Sequence, residues 1–180
     1  MSYLPLAHIF EFALENAALY WGTLLGYGTA KTLSDTSMKN CKGDIRELRP
    51  TLMVGVPTVW EQIRKGVFAR VEQQNFIARN VFWAALAAKS WMLKLGLPGW
   101  GVFDKPVFGK VREATGGRLR MTANGAGPIA KDTLRFLSLV IAPMIGGYGM
   151  TETCGYVSLN ILLHNEPTNI SLGWAVSATL

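Results

Sequence analysis

Two cysteines, two histidines and only 17% charged residues leave this chain poor in several kinds of chemistry at once. Cys41 and Cys154 are too few and too far apart to frame a disulfide scaffold or a zinc site, which points to a reducing compartment. No recognised nucleic-acid motif accompanies the eighteen Lys and Arg, which are dispersed among apolar stretches, so nucleic acid is not an expected partner. No long apolar run is free of charge: the most apolar segment, Phe76 to Leu97, carries Arg79, Lys89 and Lys94. Met1 to Tyr20 has Glu11 and Glu15 where a secretion signal would need a basic start and an apolar centre. What is abundant is apolar: 49% hydrophobic residues exclude a disordered protein, and 180 residues suffice for a sizeable core. Because the chain enters on an apolar run, Met1 to Leu6, and stops in another, Ala175 to Leu180, it is expected to be one partial domain over 1–180.

Charge is uneven. Between Glu61 and Arg135 thirteen basic residues face five acidic ones, a balance of +8, while the remainder is slightly below zero. Such a patch could meet anionic lipid or nucleotide. On a helical projection Arg79, Lys89 and Lys94 share one arc, so Phe76 to Leu97 reads either as a buried helix or as one lying on a membrane surface with its cations toward the headgroups.

In chain order, Ser2 to Leu6 reads as a short strand, and His8 to Tyr20 as a helix with apolar positions at Ile9, Phe12, Ala13, Leu19 and Tyr20. Gly22 to Gly28 reads as a second strand, and Ala30 to Lys42 as a polar connection. Asp44 to Leu48 is a helical turn stopped before Pro50, and Thr51 to Val56 a β-branched strand. Thr58 is the expected N-cap of a helix running to about Gln73. Gly96 to Gly109 is a Gly- and Pro-rich loop, and Val107 to Thr115 a helix stopped by Gly116 and Gly117. Arg118 to Thr122 is a strand, Asn124 to Pro128 (NGAGP) a glycine turn, Ile129 to Val140 a helix, and Ala142 to Ile145 a strand.

That last strand runs into Met144 to Gly155, MIGGYGMTETCG. Gly146, Gly147 and Gly149 permit backbone approaches that a Cβ would block. The adjacent hydroxyl and carboxylate of Thr151 and Glu152 suit Mg²⁺ and the phosphate oxygens it carries. The plain alternative is a glycine-rich surface turn with a capping Thr. The order strand, glycine turn, helix, strand, glycine turn puts both turns on one edge of a parallel sheet, where two small-residue loops can line one cleft. His8, between its strand and helix, is at a position that suits a ligand contact, though on the residues alone a capping or core histidine is the favoured reading.

These motifs resemble the AMP-forming acyl-CoA synthetases of the adenylate-forming superfamily. GGYGMTETCG is similar to that family's YGxTE signature, Leu4 to Glu11 (LPLAHIFE) to its LPLxH turn, and TANGAGPIAKDT to its glycine-alanine loop and following helix. Asp44 to Lys65 resembles the intervening stretch of eukaryotic long-chain fatty acyl-CoA ligases. The implied fold is α/β, a layered parallel-sheet subdomain of the adenylate-forming enzymes, incomplete at both ends. The resemblance implies that Tyr148 packs against adenine with Gly147 and Gly149 allowing the approach, that Thr151 contacts the α-phosphate, and that Glu152 holds Mg²⁺. It further implies that Gly125, Ala126 and Gly127 form the wall between adenine and an acyl channel, with His8 beside the acyl carboxylate and Phe12 at the channel mouth.

The implied reaction joins a long-chain fatty acid to ATP as an acyl-adenylate, then to coenzyme A as a thioester. The family's phosphate loop is expected before Met1, and the ribose-binding aspartate, hinge and C-terminal lysine domain after Leu180, so the 180-residue chain alone is expected to be inactive. Two other expectations fit the same residues: a fatty acyl-AMP ligase or luciferase-like enzyme, and a truncated non-catalytic protein that binds acyl groups or nucleotide. The expected location is intracellular, at the cytoplasmic face of a membrane such as the endoplasmic reticulum, a lipid droplet or a peroxisome.

Overall fold

Three short strands built from small and branched residues carry the architecture: β1 (Leu52–Gly55), β2 (Met121–Asn124) and β3 (Met144–Tyr148). The computed structural model describes residues 1–35, 38–153, 158–161 and 171–172; Cys154, Gly155 and the run from Ala175 to Leu180 lie outside them. β1 pairs parallel with β2, Leu52 opposite Met121 and Gly55 opposite Asn124, and β2 pairs parallel with β3, Asn124 opposite Gly146. The sheet then turns antiparallel through β4 (Ser158–Ile161) and β5 (Ser171–Leu172). It is therefore a mixed sheet of order β1-β2-β3-β4-β5 whose parallel half carries the glycine turns.

Helices fill the crossovers, as parallel pairing demands. Between β1 and β2 run α3 (Pro57–Glu72), α4 (Phe76–Lys94) and α5 (Gly109–Ala114); between β2 and β3 runs α6 (Lys131–Val140). Before β1 come α1 (Ile9–Tyr20) and the short α2 (Asp44–Leu48). α3, α4 and α6 pack on one another around Phe68, whose ring stands edge-on to Phe136 at 4.8 Å and to Trp83 at 5.4 Å. Trp60, Met53, Phe108, Leu137, Val140 and Met144 are almost fully buried, each contributing about 1.5–3 kcal/mol of transfer free energy.

Local chemistry explains the boundaries, including those the sequence misplaces. α3 starts one residue before Thr58: Pro57 occupies the first helical position, where its fixed φ fits and its missing N–H costs nothing, and Val56 is the cap. α4 is capped by Asn75, which accepts the Ala78 N–H at 2.8 Å. It ends at Gly96, whose φ of +66° lets the Leu97 N–H reach the Met92 carbonyl. β2 begins later than Arg118, and β3 continues through its glycines to Tyr148 instead of stopping at Ile145. Neither N-terminal strand forms: Ser2 makes a single bridge to Tyr27, because Pro5 has no N–H to continue a ladder and Leu24, 98% exposed, has no strand beside it.

In α1 the apolar residues Phe12, Leu19 and Tyr20 are more than half exposed, while the only buried residue is Glu11. One face is corrected. In α4, Lys89 does not join Arg79 and Lys94 on a polar arc. Its side chain is 1% exposed, and Nζ bonds Asp104 Oδ1 at 2.5 Å and the Leu139 carbonyl at 2.6 Å, over the Phe108 ring. That carbonyl belongs to the last turn of α6, where unsatisfied acceptors and the helix dipole favour a cation. The membrane-surface arrangement of α4 thus loses one of its three cations. Among the described residues, no helix is long and apolar enough to cross a membrane.

Candidate functional site at the carboxyl edge of the sheet

All three parallel strands end on one edge, and the loops leaving β2 and β3 start there. The loop after β2 is fastened to its neighbours: the Gly125 N–H donates to the Gly55 carbonyl at 3.1 Å, and Asn124 Nδ2 donates to the Gly127 carbonyl at 3.1 Å. Ala126 takes a left-handed conformation, φ 62°, which in a non-glycine residue costs on the order of 1–3 kcal/mol and is held by those two bonds. Gly125 has no room for a side chain, since a Cβ there would sit 2.5 Å from Cζ of Phe10. Gly127 lies against Pro57, a Cβ there falling 3.4 Å from its ring. The starts of α1 and α3 therefore flank the loop.

His8 is the N-cap of α1. Its Nδ1 accepts the Phe10 N–H at 3.2 Å, so in the neutral ring the proton resides on Nε2, which is left as a donor from an exposed side chain. Phe12 follows one helical turn later, half exposed. The capping alternative for His8 is thus observed, and capping is what orients its second nitrogen. Phe10 is the site residue that the sequence did not single out. The signal was its spacing with Leu14 and Ala17, the half-buried row of α1 opposite Phe12.

On the next strand, Gly146 is level with Asn124 and β3 continues two residues past that level, so Tyr148 overhangs the edge and is 58% exposed. Thr151 and Glu152 then enter a 3₁₀ turn, Thr151–Thr153, with both side chains exposed. Thr153 closes this turn, accepting the Met150 N–H at 3.3 Å and donating to the Met150 carbonyl at 3.0 Å. Among the described residues no group of three or more His, Cys, Asp or Glu could hold a metal ion. A lone exposed carboxylate still fits Mg²⁺, which keeps several waters and takes one or two carboxylates beside substrate phosphates. A cavity of about 810 Å³ lies elsewhere, along α3, α4 and α5, and touches none of these residues.

Residues 1–179 match the family model described as AMP-binding enzyme. The chain belongs to that family. Among curated AMP-binding relatives, it is 54% identical over 160 residues to the palmitoyl-CoA ligase FUM16 of Gibberella moniliformis, covering 89% of this chain and 24% of that protein. To the long-chain-fatty-acid–CoA ligase 1 of Saccharomyces cerevisiae it is 46% identical over 177 residues, covering 98% and 25%. The chain spans about a quarter of the length of these relatives. The fold agrees: the adenylation domain of a carboxylate reductase from Mycobacterium chelonae superposes with a TM-score of 0.55 at 22% identity, over 88% of this chain and 21% of that one. The N-terminal domain of FACL13 from Mycobacterium tuberculosis superposes with a TM-score of 0.50 at 16% identity, over 88% and 28%. The AMP-binding fold is thus present in its sheet and crossover helices, with His8, Phe10 and the Gly125–Gly127 loop on one edge.

Proposed function

We propose that this chain is the central part of an ATP-dependent ligase that activates a long-chain fatty acid to an acyl-adenylate and passes it to coenzyme A. Supporting this reading are the names of the relatives, long-chain-fatty-acid–CoA ligases and a palmitoyl-CoA ligase, and one observation at the site: Phe10 of α1 seated against Gly125, which couples the His8 turn to the glycine loop. In this reading His8 Nε2–H orients the acid's carboxylate beside the loop, and Phe12 stands at the mouth of the channel. Gly125, Ala126 and Gly127 separate the acyl chain from adenine, against which Tyr148 packs with Gly147 and Gly149 beside it. The Thr151 hydroxyl donates to an α-phosphate oxygen of ATP, and Glu152 holds Mg²⁺, whose chemistry is to neutralise charge on the phosphates. The carboxylate then displaces pyrophosphate at the α-phosphorus, and the coenzyme A thiol displaces AMP. Donors held in place before charge develops need little reorganisation, and the His8 ring is held by its cap bond to the Phe10 N–H.

The test replaces the aligned segment of the S. cerevisiae ligase 1 with this chain and measures acyl-CoA formed from palmitate, ATP and coenzyme A. Activity that is lost on Glu152→Gln is expected. A soluble chimera that binds ATP but forms acyl-AMP and no acyl-CoA would favour an acyl-AMP ligase, and one that binds ATP without turnover would favour a non-catalytic binding protein.

A further inference from the structure

α6 starts without a cap. Ala130 precedes it and offers no side-chain acceptor, although the residues just before are the glycine loop, whose left-handed Ala126 has to be held in place. Thr133, in the first turn of α6, is 0% exposed, and its hydroxyl turns to α3. There Arg64 Nη1 donates to Thr133 Oγ1 at 2.8 Å, and Thr133 Oγ1 donates in turn to Glu61 Oε1. The hydroxyl thus gives its one proton and receives another, from residues 69 and 72 positions away in sequence. The Arg64 and Glu61 side chains, 28% and 33% exposed, stand 3.6 Å apart on neighbouring turns of α3. The Arg64 guanidinium lies over the Phe68 ring, 4.9 Å from its centre, and Phe68 meets Phe136, one turn after Thr133 on the same face of α6. Four residues before Glu61, Pro57 lies against Gly127. α3 therefore meets the stretch from Gly127 to Phe136 through a proline at the loop, polar groups at the first turn of α6, and aromatic rings one turn below.

We infer that Thr133 is a positioning residue: its hydroxyl, bonded to both Glu61 and Arg64, fixes the first turn of α6 against α3 and thereby seats the Gly125–Gly127 loop at the sheet edge. The apolar contacts on either side tolerate sliding, whereas a hydroxyl that must both give and receive a proton does not. The inference rests on the proposed ligase reading for its effect on substrates and on the fold for its cause. Valine has the same branched shape without the hydroxyl, so in Thr133→Val the two charged side chains keep each other and lose α6. Thr133→Ser keeps the hydroxyl.

Hydrogen exchange on the 180-residue chain reads the cause at particular amides. The Gly125 N–H bonds the Gly55 carbonyl, the Leu134 N–H the Ala130 carbonyl at 3.0 Å, and the Ile141 N–H, at the far end of α6, the Leu137 carbonyl at 2.8 Å. Thr133→Val is expected to speed exchange at Gly125 and Leu134 about tenfold, the size of a lost hydrogen bond to a charged group, with Ile141 at its wild-type rate. Thr133→Ser is expected to stay close to wild type, and Glu61→Ala, which alters a partly exposed side chain, to reproduce the valine effect. In the chimera with the yeast ligase, Thr133→Val is expected to raise KM for both palmitate and ATP by up to the same factor, because the loop stands between them, and Thr133→Ser to restore both. A helix anchor with no bearing on the loop would lower the folded fraction and leave both KM values in place. The inference is overturned by Gly125 exchange that stays at the wild-type rate in Thr133→Val and Glu61→Ala, by Ile141 accelerated to the same degree, by a serine variant as impaired as valine, or by KM values that do not move in an active chimera. A wild-type chimera that makes no acyl-CoA would instead remove the ligase reading, and the Gly125 amide would still decide the role of Thr133.

Discussion

Adding a single methyl group at Gly125 tests the contact on which the site depends. In Gly125→Ala the new Cβ would lie 2.5, 2.7 and 3.0 Å from three atoms of the Phe10 ring, closer than carbon atoms tolerate. The Gly125 backbone is not in the left-handed region, so the cost is steric alone. Overpacking of this kind costs about 1–3 kcal/mol, and the half-buried Phe10 ring can yield some of it, which places the expected loss at about 1–2 kcal/mol. For a chain of this length that is a fall in melting temperature of roughly 2–8 °C, read by circular dichroism. Phe10→Leu removes the colliding edge, so the double variant is expected to be no less stable than Phe10→Leu alone, a coupling of about 1 kcal/mol or more. In the yeast chimera the same substitution is expected to raise KM for palmitate, because α1 must lift and takes His8 with it. Losses that simply add in the double variant, or a Gly125→Ala chain as stable as wild type, would refute the reasoning.

Other consequences are open to measurement. Lys89→Met leaves Asp104 with Arg112 at 2.9 Å as its remaining ion pair and strands the Leu139 carbonyl; an expected loss of about 3 kcal/mol, with less than additive behaviour when combined with Asp104→Asn, is checked by denaturant unfolding. Burial raises the Glu11 pKa above 4.5, so the folded state keeps that proton to higher pH than the unfolded chain. Stability of the wild type relative to Glu11→Gln should therefore fall as pH climbs from 4.5 through the raised value, and parallel pH–stability curves would contradict this. Asn75→Ala removes the α4 cap and should cost about 1 kcal/mol in thermal unfolding, with Asn75→Asp retaining most of it.

Much of the architecture was legible because its signals are local. Glycine stops and the strand–turn–helix order from Arg118 to Glu152 are backbone preferences, and they located the two loops on one edge. What was not legible depends on partners far along the chain. Lys89 reads as a surface cation by helical projection, since nothing within its own helix announces Asp104 or the end of α6. The burial of Glu11 beside an exposed Phe12 was not legible because α1 packs against Gly125 and the Ser2–Leu4 segment, and neither contact has a period. The glycine motif identified Tyr148, Thr151 and Glu152 as candidates, whereas Phe10 became visible only when a Cβ was imagined at Gly125.

The pairing of β1 with β2 also bears on how the chain reaches this structure. Leu52 and Met121 are partners 69 positions apart, with three helices between them, whereas Thr122 and Met144 are 22 apart across one. Closing the longer loop as a bare coil forfeits more chain entropy than closing the shorter one, and contacts distant in sequence slow folding. The α3–α4 pair shortens that search, because its helices form on local contacts and bring the ends of the excursion together. The β2–α6–β3 unit, closing the shorter loop, is therefore expected to form ahead of the β1–β2 pairing that completes the edge holding Gly125.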